Sequence, residues 1–202
     1  MAATMSTPML AFDDHTALVV ADVQNDFADP AGSLHVGGGD TVVRVINDLI
    51  ASARAGGAVV VYTQDWHPAS TPHFAKDGGI WPTHCVAGTW GAQLHPALHV
   101  VGPVVHKGTG QEDGYSGFTV RDVGTGDQKA TGLHAILQER HISSVVVVGL
   151  AQDFCVKETA LDARRLGYDT VVVAGATRPV ERTPGDGDRA LDELRHHGVD
   201  VR

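Results

Sequence analysis

The apolar residues fall into short unbroken runs separated by stretches with the helical period. Ala17-Leu18-Val19-Val20-Ala21 is brief and largely β-branched and ends at Asp22, which predicts a strand covered on both faces. After a loop containing Gly37-Gly38-Gly39, the residues Val42, Val43, Ile46, Leu49, Ile50 and Ala53 recur every three to four positions. They predict a helix capped by Asp40 and stopped at Gly56-Gly57. Residues 58–62 form a second predicted strand, and Val100-Val101 with Val104-Val105 a third, broken by Gly102-Pro103. A helix from about Thr131 puts Leu133, Ile136 and Leu137 on one face, and Val145-Val146-Val147-Val148 is the next strand. Residues 155–166 suit a helix with Ala160, Ala163 and Leu166 inward and Gly167 as its stop. Thr170-Val171-Val172-Val173 is a fifth strand, and a last short helix carries Leu191 and Leu194. Residues 108–114, 120–126 and 182–188 read as loops, and 120–129 carry no readable motif. Continuous valine runs and the β-α rhythm predict a three-layer α/β fold, a mostly parallel sheet with helices on both faces.

Length and composition narrow the picture. The 202 residues fit one domain, 1–202, with 1–15 as an N-terminal extension. A hydrophobic share of 43% with 19% charged residues argues against disorder. The formal charge of −9 disfavours nucleic acid and membrane surfaces as partners and leaves a small molecule as the expected one. The longest apolar run, about seven residues, falls short of the ~20 that span a bilayer. Residues 1–15 lack the basic start and apolar stretch of a signal or transit peptide. Two cysteines cannot make a disulfide framework, so a reducing cytoplasm is the expected location. Twelve histidines stand out.

In an open parallel sheet, ligands bind beyond the carboxyl ends of the strands. Asp22 ends the first predicted strand, Asp65 lies just past the second, Lys107 ends the third, and Cys155 follows the fourth. All four therefore belong to one edge. A cysteine at a helix N-terminus beside an ammonium is expected to have a lowered pKa and to act as a nucleophile. An adjacent aspartate can take the thiol proton and return it to a leaving group. The plainer alternative is a buried structural thiol beside an ordinary ion pair. Asp65 and His67, two residues apart on an extended segment, can point the same way. With His84, and His73 as a fourth, they make a mixed N/O set suited to zinc, manganese or iron more than calcium. His95 and His99 read as surface residues, and Cys85 as a buried thiol.

Six strings go further: Ala21-Asp22-Val23-Gln24-Asn25-Asp26-Phe27, Asp65-Trp66-His67-Pro68, Trp81-Pro82-Thr83-His84-Cys85-Val86, His106-Lys107-Gly108, Tyr115-Ser116-Gly117-Phe118 and Gly149-Leu150-Ala151-Gln152-Asp153-Phe154-Cys155-Val156. Through them, over about residues 17–201, the chain resembles the isochorismatase-like cysteine hydrolase superfamily and, within it, the nicotinamidase/pyrazinamidase family. The resemblance implies Asp22 as general base, Lys107 as electrostatic support and Cys155 as nucleophile, with the amides of Ala151 and Cys155 as oxyanion hole beside a cis Leu150-Ala151 bond. It implies one divalent ion (zinc, iron or manganese) on Asp65, His67 and His84, with His73 added in some members. Phe27, Trp81, Tyr115 and Leu150 would hold the substrate ring. The implied reaction deamidates nicotinamide, and also pyrazinamide, through a thioester in NAD salvage; a homo-oligomer is compatible with it. An N-carbamoyl amidohydrolase, an isochorismatase and a non-catalytic metal-binding protein stay open as alternatives.

Overall fold

β1 (Thr16–Ala21) is wholly buried, as its unbroken apolar run requires. The computed structural model describes residues 10–202. Residues 1–9 of the expected extension lie outside the described residues, whereas Leu10 and Phe12 pack against the core. After β1 come a helical turn α1 (Asn25–Ala28), α2 (Thr41–Ala55), β2 (Val59–Asp65) and β3 (Val104–Lys107). Three short strands follow, β4 (Glu112–Asp113), β5 (Thr119–Asp122) and β6 (Gln128–Ala130), then α3 (Leu133–Glu139) and β7 (Ser144–Leu150). The chain closes with α4 (Lys157–Arg165), β8 (Asp169–Arg178), α5 (Asp186–His196) and β9 (Asp200–Val201).

The main sheet has the order β3-β2-β1-β7-β8-β9, and every pairing in it is parallel. Val19 pairs with Val61 on one side and Val147 on the other. Side chains alternate between two cores. Leu18 and Val20 join Ile46 and Ile50 of α2 in one, while Val19, Val145 and Val147 join Leu137 of α3, Ala160 of α4 and Leu194 of α5 in the other. The three-layer expectation holds. No helix among the described residues is long and apolar enough to cross a membrane.

Several local expectations are corrected. Val100 and Val101 are outside the third strand and are 47% and 45% exposed. Gly102 passes so close to β2 that a Cβ there would sit 1.9 Å from the Val60 carbonyl oxygen, and pairing begins only at Val104, opposite Tyr62. Asp40 makes no side-chain cap on α2; Thr41 Oγ1 donates to the Gly38 carbonyl instead, at 2.6 Å. Leu166 falls past the end of α4 and is 44% exposed rather than inward. The 120–126 loop is half strand. Asp122 Oδ1 accepts from the amides of Gly124 and Thr125, at 2.8 Å each, and turns β5 into β6.

Candidate active site

Parallel pairing places the ends of β1, β2, β3 and β7 on one edge, and the chemistry gathers there. Asp22 follows β1 in the left-handed region, at φ 47°. Asp65 and Lys107, the last residues of β2 and β3, are paired in register. Cys155 sits in a single π-helical turn, Gln152–Val156, that joins β7 to α4. Lys107 Nζ lies 2.9 Å from Asp22 Oδ2 and 3.6 Å from Cys155 Sγ, and it donates to Asp65 Oδ1 in a very short contact. All four side chains are buried. Thr63 donates its hydroxyl to Asp22 Oδ1 at 2.6 Å, while Asp22 Oδ2 has the Lys107 ion pair but no hydrogen bond.

The electrostatics follow from burying one ammonium among three acidic groups. Desolvation pushes Lys107 towards losing its proton, but Asp22 and Asp65 outweigh it and hold the ammonium well above its ordinary pKa. Burial would raise Asp65 as well; Lys107 and the neighbouring histidines hold it far below the carboxylate range instead. Asp22 is raised by burial, against the pull of Lys107. The expected lowering of Cys155 is overturned. Burial pushes this thiol well above its ordinary value despite Lys107, and the carboxylates of Asp22 and Asp65 add to the rise. With Lys107 charged and both aspartates ionised, a thiolate would leave a second net negative charge in a dry site. Moving the thiol proton to Asp22 avoids that, because the total charge is unchanged.

Beside this cluster stand three imidazoles. His67 Nδ1 is 3.1 Å from the Gly108 carbonyl oxygen and His84 Nδ1 is 2.7 Å from that of Pro82. A carbonyl only accepts, so in both rings Nδ1 carries the proton and Nε2 is bare. His67 Nε2 is buried with no hydrogen-bond partner and lies 3.8 Å from Asp65 Oδ2. Burial lowers His84 to about 4, partly against Asp65, which leaves its ring neutral at pH 7. One nitrogen from each of His67, His73 and His84 lies within 4.8 Å of the others. The bare Nε2 atoms of His67 and His84, with a nitrogen of His73 close by and Asp65 Oδ2 alongside, fit a divalent cation. The structure therefore draws His73 into the same cluster as the other two histidines. Asp65 joins the two constellations, one oxygen on Lys107 and the other towards His67.

A narrow pocket of about 20 Å³, room for roughly one water molecule, lies over both groups. Phe27, Leu34, Trp81, Tyr115, Phe154 and Val180 form its apolar wall, and Asp65, His73, His84, Ala151 and Cys155 its polar side. Trp81 meets Phe154 edge-on at 4.9 Å and donates its Nε1–H to the Tyr115 hydroxyl at 3.0 Å. Leu150 does not line this cavity. It is fully buried in the core because it is the last residue of an interior strand, and the bond that follows it, Leu150-Ala151, is cis.

Sequence reasoning passed over several supports. The Gln24 side-chain amide grips the Asp65 backbone at both ends, at 2.8 and 2.9 Å. Asp26 Oδ2 accepts from the Cys85 amide at 2.7 Å, next to His84. Phe154, Leu34 and Val180 on the wall, and Thr63 under Asp22, were likewise missed. Gln24, Asp26 and Phe154 stand inside the six motif strings, so their position is a signal; Thr63, Leu34 and Val180 carry none.

A model of the isochorismatase domain matches residues 16–202. The nicotinamidase of Escherichia coli (strain K12) is 38% identical over 201 residues, covering 91% of this chain and 92% of that protein. Among solved structures, PnC1 from L. infantum in complex with nicotinate superposes with a TM-score of 0.86 at 37% identity, covering 96% of this chain and 95% of that one. The pyrazinamidase of Pyrococcus horikoshii in complex with zinc gives 0.82 at 34% identity, covering 93% and 98%.

Proposed function

The chain belongs to the isochorismatase family, and from that premise we propose that it is a nicotinamide amidohydrolase, forming nicotinate and ammonia and also accepting pyrazinamide. The described residues act as one hydrolase domain. The observation that carries this reading is the wall of Phe27, Trp81, Tyr115 and Phe154 closing over Cys155, with the imidazole cluster at its side. The aromatic lining suits a flat heteroaromatic ring, which enters beside the sulfur once these side chains part to admit it.

Asp22 takes the thiol proton as Cys155 Sγ bonds to the carboxamide carbon. The carbonyl electrons move to oxygen, which the amides of Ala151 and Cys155 stabilise. When the electrons return, the C–N bond breaks and the proton on Asp22 passes to the departing nitrogen as ammonia. Water then gives a proton to Asp22 and attacks the thioester. Nicotinate leaves, and the proton returns to sulfur. Lys107 stays protonated throughout and offsets the charge of Asp22 and of the sulfur. Asp65, His67, His73 and His84 would hold a divalent ion, zinc, iron or manganese, which supplies a Lewis acid for orienting the ring nitrogen and polarising water.

Ammonia release from nicotinamide should disappear in Cys155→Ala and fall on chelation, returning when metal is restored. Undiminished release by Cys155→Ala would defeat the mechanism. A panel including pyrazinamide and carbamoylated amines separates this reading from an N-carbamoyl amidohydrolase, which should favour the latter.

A further inference from the structure

The small sheet β4-β5-β6 has no place in the chemistry so far, and the sequence of its second half carries no motif. Its geometry assigns it one. Asp113, in β4, pairs with Arg121 of β5, and β5 pairs with β6 through Thr119 and Ala130. Thr119 Oγ1 ties this sheet to α4 by donating to Asp162 Oδ2 at 2.8 Å. The result is a carboxylate delivered to the histidine cluster: Asp113 Oδ1 lies 2.6 Å from His73 Nδ1. The amide of Gly114 donates to the same oxygen at 2.8 Å and fixes its direction.

The other two imidazoles have their Nδ1 atoms on backbone carbonyls, of Gly108 and Pro82. His73 alone of the three relies on a side chain. Building on the metal-site reading above, we propose that Asp113 is a positioning residue for His73: it accepts the Nδ1–H, selects the tautomer with a bare Nε2, and thereby sets the affinity of the cluster for a divalent cation. A carboxylate behind a ligating imidazole orients the ring and raises its basicity, and loss of such a partner typically weakens metal binding about 10- to 100-fold. The contact is at ion-pair distance with the ring N–H off the oxygen's axis. The proposal thus requires the ring to turn as a cation draws Nε2 inward.

The test uses the full chain stripped with chelator and titrated with Co²⁺, followed by its visible absorption, and with Zn²⁺ by calorimetry. Asp113→Ala should weaken binding of both ions about 10- to 100-fold. Asp113→Asn, isosteric and still able to accept a neutral hydrogen bond, should lose less, and it decides the matter if the alanine chain does not fold. In a His73→Ala background, either change should matter by no more than about twofold, since the two residues act as a unit. Wild-type affinity in both Asp113 variants, or an equal loss with and without His73, overturns the proposal. Ammonia release by the unsubstituted, metal-loaded chain is scored separately. Its absence would sink the amidohydrolase reading and leave the affinity cycle to decide Asp113.

Discussion

Asp22 is held at three points: its amide donates to the Thr63 carbonyl, its Oδ1 accepts from the Thr63 hydroxyl, and its Oδ2 faces Lys107. Thr63 is completely buried, so no water can replace that hydroxyl. Thr63→Val keeps the shape and removes the donor, leaving a charged oxygen short of a partner. We expect a loss of about 2 kcal/mol in urea unfolding, with a fall in kcat larger than any change in KM, and recovery of both in Thr63→Ser. Unchanged stability and kcat in Thr63→Val would show that the hydroxyl is idle. At this scale the sequence was most readable where a residue closes a strand, as Asp22, Asp65 and Lys107 do. It misjudged Cys155, because helix position and a nearby ammonium argue for thiolate while deep burial, which only packing creates, argues more strongly against it.

Strand β7 shows how an element aims the chemistry that follows it. Gly149, near its end, has φ 114°, and a Cβ there would lie 2.1 Å from the Ala21 carbonyl oxygen of β1. The pairing of β7 with β8 also shifts register between Val147 and Gly149. The glycine is what lets β1 and β7 stay in contact just before Asp22 and the cysteine turn. Gly149→Ala should therefore cost about 3 kcal/mol or more, from strain together with overpacking, read as a lower urea midpoint at an unchanged m-value. A midpoint equal to that of the unsubstituted chain would sink this account. Helix and strand types were legible from periodicity for β1, β2, β7 and β8 and the helices that pack on them, whereas the two-residue edge strand β9 is too short to show a period. The π-helical turn was not, since its residues look like the start of an ordinary helix, nor was β4-β5-β6, whose polar residues lack an alternating pattern.

Across the whole molecule, the sheet separates two cores that share its strands but not their side chains. Ile46 of α2 belongs to one and Leu194 of α5 to the other, both fully buried. Ile46→Ala and Leu194→Ala should each cost about 2–5 kcal/mol, and the double variant should lose their sum within about 0.5 kcal/mol because the layers do not touch. A clear departure from additivity in denaturant unfolding would mean that the sheet passes strain from one face to the other.

The amino-acid order by itself determined the β-α succession, the parallel sheet, and the edge at which acid, amine, thiol and histidines meet, because hydrophobic period and strand ends are local properties. Tertiary structure alone decided which proton sits where and which side chains stand behind the reacting ones. Burial of Cys155, the grip of Thr63 on Asp22 and the approach of Asp113 to His73 depend on distances between segments 40 or more residues apart. Those distances are fixed by packing, for which no neighbouring residue in the chain carries a sign.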